Sequence, residues 1–260
     1  MHLHVHGSET FVGTGGRDFD PALPAMVFLH GAGMDHTVWA LLARSFAHHG
    51  FGVLAPDFPG HGHSAGARLS SVAALADWTT ALIGAAGVGT ATLVGHSMGS
   101  LVALETAARH PEKVSGLALI ATAAPMRVSD DLLNAAKAND HAAVDMISLW
   151  ANGYHATLGG SLAPGLWMLG EAERLLERAR PGVLFADLSA CNAYHDALAA
   201  AGKVAVPSRV ILGSRDLMTP LKGGRAIAAA IPDCRLTVIE GAGHMLMTER
   251  PDEVLAALRA

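Results

Sequence analysis

The sequence predicts an α/β fold, a mostly parallel central sheet flanked by helices, with a helical cap inserted into it. Three observations lead there. Short runs rich in Val, Ile and Leu recur at 26–29, 52–55, 91–94, 117–120, 209–212 and 236–239. Helical patterns fill the gaps between them, at 38–49, 72–86, 98–109, 221–230 and 252–259. This alternation is the mark of βα units, whose parallel strands are buried on both faces and so read as continuous apolar runs. The third observation is a break in the alternation: about eighty residues after Pro125 carry helical periodicity without a convincing strand.

The elements follow from local chemistry. Pro111 and Pro232 stop helices, because proline lacks the N–H that a helix interior needs, whereas Pro220 and Pro251 suit first turns. Within the insertion, 130–150, 170–179 and 189–201 are expected as helices and 159–165 as a loop. The chain therefore divides into a core, 1–125 with 207–260, and a cap, 126–206, within one domain; no internal repeat or linker is evident.

Composition limits the function. The 260 residues can bury a continuous core, and 18 Lys and Arg against 23 Asp and Glu give a net charge of −5 with no basic run. That argues against nucleic-acid and polybasic membrane partners. Hydrophobic residues make up 51% and charged residues only 16%, where about a quarter is usual. The apolar surplus is dispersed, and no window approaches the roughly 18 apolar residues that cross a bilayer. Residues 1–10 show no apolar segment behind a basic cap, so a cytoplasmic protein is expected. Cys191 and Cys234 have no metal-ligand spacing and read as buried small hydrophobes, so neither disulfide nor zinc site is expected.

The chemistry concentrates at strand ends. Gly95-His96-Ser97-Met98-Gly99 follows the run at 91–94 and opens a helix, the context that G-x-S-x-G requires of a nucleophile held on a strained turn. Outside that context the same string is an ordinary βα turn. Serine is a weak nucleophile, so a histidine base and an orienting carboxylate should accompany it. Asp216 lies just past the run at 209–212 and His244 just past that at 236–239, giving the chain order Ser, Asp, His. After the run at 117–120, Ala121-Thr122-Ala123-Ala124 offers no competing acid, and Asp187 and Asp196 are assigned to the cap.

These residues together resemble the α/β-hydrolase superfamily, in particular its compact bacterial esterase, lactonase and non-haem haloperoxidase type. His30-Gly31-Ala32-Gly33 resembles the family's oxyanion loop, and the stretch from Asp57 to Ser64 its D-x-P-G-x-G-x-S turn. The resemblance implies an oxyanion hole made by the backbone N–H groups of Ala32 and Met98. The position of Met98 agrees physically, since a helix N-terminus presents free N–H groups to negative charge.

Fifteen histidines compete for the base's role. His2, His4 and His6 alternate as on one face of an exposed edge strand; His61 and His63 fit a loop-holding role, and His96 a local packing or hydrogen-bonding one. His141, His155 and His195 fall in the cap, where surface exposure is expected. Trp39, Met126, Trp150, Trp167, Met218 and Met245 are core candidates singly, but as a group point to a hydrophobic acyl pocket without charged selectors. Arg127 reads as a solvated loop residue, and is the one nearby cation able to meet an anionic substrate.

The expected enzyme is a serine hydrolase that needs neither metal nor cofactor. It would cleave a small, mainly apolar ester, lactone or thioester through an acyl-enzyme on Ser97. Related enzymes with the same motifs cleave C–C bonds, make peracids, transfer acyl groups or act as cofactor-independent dioxygenases, and some relatives are small-molecule receptors, so the motifs alone leave the reaction open. Haloalkane dehalogenases and epoxide hydrolases carry Asp where this chain has Ser97. The expected partner is a small molecule; the sequence does not fix the oligomeric state.

Overall fold

The structure is a computed structural model that describes all residues except 161–164 and 166, with residue 155 described by its backbone alone. Eight strands form one sheet: β1 (His2–Val5), β2 (Ser8–Gly13), β3 (Ala25–Leu29), β4 (Gly52–Pro56), β5 (Ala91–His96), β6 (Val114–Ile120), β7 (Ser208–Gly213) and β8 (Arg235–Ile239). Their order is β1-β2-β4-β3-β5-β6-β7-β8. The first two strands pair antiparallel, β2 meets β4 antiparallel, and all remaining pairs are parallel. β3 and β4 are buried at every position, whereas β8 at the sheet edge is buried only at Ile239.

The side-chain period of two divides the core between the two faces. Val27 and Leu29 point to one side, with α2 (Val72–Ala85), α3 (Met98–Arg109) and α10 (Leu221–Ala230). Met26 and Phe28 point to the other, with α1 (Ala40–Ala47), α12 (Pro251–Arg259) and part of the insertion. Ser71 caps α2 by accepting the Ala74 N–H, and Pro251 opens α12 at its first turn.

Between β6 and β7 the described residues form helices only: α4 (Asp130–Ala138), α5 (Ala142–Ala151), α6 (Tyr154–Thr157), α7 (Met168–Glu177), α8 (Val183–Ala193) and α9 (Ala197–Ala201). The helix expected over 130–150 is two helices, because Asn139 adopts the left-handed conformation and ends α4. The helix expected over 189–201 starts earlier, at Val183, and breaks before Ala197. Most of the expected loop at 159–165 lies outside the described residues.

The amino terminus differs from expectation as well. Strand β1 ends at Val5, and His6 and Gly7, both at positive φ, make the hairpin turn into β2. His6 therefore leaves the face shared by His2 and His4. No described helix is long and apolar enough to cross a membrane.

Candidate active site

The loops at the carboxyl ends of β3, β5, β7 and β8 meet beneath the inserted helices. Ser97 stands between β5 and α3 at φ 52 and ψ −118, a backbone conformation that costs a non-glycine residue roughly 1–3 kcal/mol. The neighbouring glycines make it possible: a Cβ at Gly95 would overlap the Gly99 carbonyl, and one at Gly99 the Leu29 carbonyl. The Ser97 N–H donates to the Ile120 carbonyl at 3.0 Å, which ties the turn to β6.

Asp216 and His244 are buried, and His244 Nδ1 lies 2.8 Å from Asp216 Oδ2. The other carboxylate oxygen, Oδ1, accepts the N–H groups of Met218 and Thr219 at 2.8 and 2.7 Å. The Thr219 hydroxyl donates to Oδ2 at 2.5 Å. Burial by itself would raise the Asp216 pKa, but the attraction of His244 and these donated hydrogen bonds outweigh it and hold the carboxyl below its ordinary value. The D-x-x-T spacing is the signal in the sequence that could have revealed Thr219.

Two further residues hold the histidine loop. His96, next to Ser97, donates from Nε2 to the His244 carbonyl at 3.0 Å, and the two rings lie 4.7 Å apart. Burial, with the neighbouring His244 ring as a smaller cause, lowers the His96 pKa to about 3, so its ring is neutral. Glu249 is buried at the end of the short helix α11 (Leu246–Glu249), and its carboxylate accepts the N–H groups of Gly243 and Gly153 at 3.1 Å. Burial raises the Glu249 pKa despite these bonds. Nothing in the sequence around Glu249 announces this role.

The loop after β3 is pinned from two sides. His30 holds its proton on Nδ1, facing the Gly31 carbonyl at 2.9 Å, while Nε2 accepts the Phe58 N–H at 3.1 Å. Burial, with the nearby His61, lowers its pKa to about 4. Asp57 accepts the N–H groups of His36 and His63, closing the 57–64 turn. Among the described residues no acceptor engages the N–H of Ala32 or of Met98.

A cavity of about 170 Å³ opens beside Ser97, lined by Ala32, Met126, Trp150, Leu188, Met218 and Thr219 among others. Three residues expected in such a pocket are elsewhere. Trp39 is fully buried against Phe28 and His96, and Met245 is in the same core region. Trp167 is 71% exposed. The wall also contains Arg127 and Ser129, so the expectation of a lining without charge is corrected. Of the other histidines, His141 pairs with Asp145 and Glu177 on the surface and His195 is exposed; the His155 side chain lies outside the described residues.

A mostly parallel sheet with this strand order, a serine on a strained strand-to-helix turn and a buried histidine–carboxylate pair at neighbouring strand ends together define an α/β hydrolase. The family model of the alpha/beta hydrolase fold matches residues 24–251, and the chain belongs to that family. The chain is 33% identical over 246 residues to a pimeloyl-[acyl-carrier protein] methyl ester esterase of Chromobacterium violaceum, covering 90% of this chain and 92% of that one. A protein of the same description from Aromatoleum aromaticum is also 33% identical, over 88% of this chain and 94% of its own. Among solved structures, the enol-lactonase from Burkholderia xenovorans superposes with a TM-score of 0.87 at 24% identity, covering 100% of this chain and 98% of that one. A thermophilic esterase superposes at 0.81 with 31% identity, covering 100% and 95%.

Proposed function

We propose that the protein is a serine carboxylic-ester hydrolase acting on a small, mainly apolar ester, lactone or thioester. Ser97 Oγ attacks the substrate carbonyl while His244 Nε2 takes its proton, and Asp216 fixes the imidazole's tautomer and stabilises the imidazolium. The Ala32 and Met98 N–H groups stabilise the tetrahedral oxyanion. His244 then protonates the leaving oxygen or sulfur, leaving an acyl group on Ser97. Water, deprotonated by the same histidine, releases the acid and restores the serine.

The observation that carries this reading is the Asp216–His244 hydrogen bond of 2.8 Å, buried within the cluster of loops that also holds the strained Ser97. Ala32 lines the cavity, Met98 opens α3 directly after Ser97, and no described residue accepts either N–H, which supports the oxyanion assignment, since such donors act strongly where water is excluded. Similarity to methyl ester esterases supports an oxygen ester over the other bonds that this fold's enzymes cleave. The inserted helices act as a cap, closing the cavity with Trp150, Leu132 and Leu188. This wall suits a short acyl chain.

The test is hydrolysis of p-nitrophenyl esters from acetate to decanoate, with Ser97→Ala in parallel and fluorophosphonate labelling of Ser97. Ser97-dependent turnover with a chain-length optimum is expected. Full activity in Ser97→Ala would refute the acyl-enzyme. Labelling without ester turnover would redirect the triad to another bond class.

A further inference from the structure

The inserted helices grip the loop after β3 at one buried point. Asp187, on α8, is 1% exposed, and its Oδ2 accepts the Gly33 N–H at 2.8 Å. The same oxygen lies 2.8 Å from His61 Nε2. His61 Nδ1 in turn lies 3.1 Å from the Pro59 carbonyl, so both ring nitrogens face acceptors and the ring carries two protons. His61 is packed among Asp187, Asp57 and the neutral His30 ring 5.0 Å away. A carboxylate is what such a buried imidazolium requires, and it makes the bond to Gly33 charge-assisted.

Gly33 is at φ 69, and the space for a Cβ there is filled by Leu184 and Leu176 of the same helical insertion. Gly33 follows Ala32 directly. With Gly33's amide drawn toward α8 and His30 anchored below, the Ala32 peptide between them has little rotational freedom. The other hydrogen bonds described across this seam come from solvent-exposed arginines, Arg178 to Asp35 at 3.0 Å and to Thr37 at 3.1 Å and Arg180 to the Gly62 carbonyl at 3.1 Å, and a link held by an exposed side chain contributes little.

We propose that Asp187, together with His61, is a positioning residue: the inserted cap aims the Ala32 N–H at the developing oxyanion through the Gly33 amide. The assignment rests on the acyl-enzyme reading given above. It also makes the cap part of the rate-determining geometry as well as the pocket wall.

Three variants test it. Asp187→Ala removes the acceptor, Asp187→Asn keeps an oxygen for Gly33, and Asp187→Leu with His61→Leu removes both charges, a replacement that buried ion pairs often tolerate in stability. The expected result is a fall in kcat of about tenfold to a hundredfold for Asp187→Ala and for the double variant, with KM little changed, because misplacing a donor slightly costs that much. Fluorophosphonate labelling of Ser97 should slow in parallel, and Asp187→Asn should recover most of the rate. A merely structural role would predict that the double variant, once folded with wild-type melting, regains kcat; that result overturns the proposal. So would a loss confined to KM. Ser97→Ala separates the two readings: activity surviving there refutes the acyl-enzyme, whereas an inactive Ser97→Ala beside a fully active double variant overturns the positioning role alone.

Discussion

Replacing Asp216 with Asn should all but silence the enzyme while leaving it folded, and the reason lies in which oxygen faces which donor. Asp216 Oδ1 accepts two buried N–H groups, from Met218 and Thr219, so the only amide oxygen of an Asn must take that place. Turning the side chain over would set an NH₂ against two N–H donors, and each buried donor left without an acceptor costs about 1–3 kcal/mol. The Asn NH₂ is therefore forced toward His244 Nδ1, now 2.8 Å from Oδ2. Facing a donor, Nδ1 becomes the acceptor and the imidazole proton moves to Nε2, where it blocks abstraction of the Ser97 proton. Loss of the correct tautomer lowers kcat by about 10⁴, or about 5.4 kcal/mol. The assay is steady-state p-nitrophenyl ester hydrolysis with melting curves to verify folding. Thr219→Val, which removes a hydroxyl but keeps both N–H donors, serves as the control and should cost only about 1 kcal/mol, near fivefold. A folded Asp216→Asn within about tenfold of wild type would refute the tautomer argument.

Other perturbations give distinct outcomes. Glu249→Ala strands the buried N–H groups of Gly243 and Gly153 and should lower the free energy of unfolding by about 2–4 kcal/mol in urea titration, while Glu249→Gln retains most of it. For His61, burial opposes the proton but Asp187 and the Pro59 carbonyl outweigh it, so its pKa is raised above 6.5. A raised folded-state pKa stabilises below the unfolded value and the benefit is lost as pH rises through the folded value. The stability gap between wild type and Asp187→Asn, read as urea midpoints, should therefore be widest below pH 6.5 and narrow on the alkaline side; a gap that widens instead contradicts the imidazolium assignment. Arg127 is an exposed member of the cavity wall, so Arg127→Gln should reduce the preference for an ester bearing a terminal carboxylate over its neutral analogue by up to about fivefold in kcat/KM, the limit for an exposed ion pair. An unchanged ratio would remove Arg127 from substrate recognition.

What the sequence disclosed follows from where each constraint is local. The strained turn at Ser97 was legible because it demands small residues within two positions of Ser97, and the strand and helix beside it have their own periods. Asp216 and His244 were legible because strands ending in a βα architecture present their following loops at one edge of the sheet. His61 and Asp187 are 126 residues apart, and their pairing depends on the path of α8 over the core, which has no local signature. The same limit misassigned three pocket residues. Trp39 and Trp150 are equally apolar, yet one packs under the sheet's loop and the other faces the cavity, a difference set by which face of a helix meets the core. The break between α4 and α5 was missed because Asn139 ends a helix through its own left-handed backbone while the apolar spacing continues across it.

The crowd of histidines around the site resolves into roles by environment alone. His30 and His96 are buried without a carboxylate on either nitrogen, so burial drives their pKa values down to about 4 and about 3 and they serve as neutral hydrogen-bonding struts. His61 has a carboxylate, but its other nitrogen faces a carbonyl, so it holds both protons and has no lone pair to offer. His244 alone of these four combines a buried carboxylate on Nδ1 with an Nε2 that no described residue's hydrogen bond occupies. A general base needs that combination: a partner for the cation it becomes, and a free nitrogen with which to become it. Substituting His30 or His96 should consequently alter loop geometry and stability, whereas in the proposed mechanism substituting His244 removes the proton acceptor itself. The two kinds of loss differ in whether hydroxide-driven turnover of an acylated Ser97 survives, since a displaced loop slows both half-reactions and a missing base leaves the alkaline hydrolysis of a preformed acyl-enzyme intact.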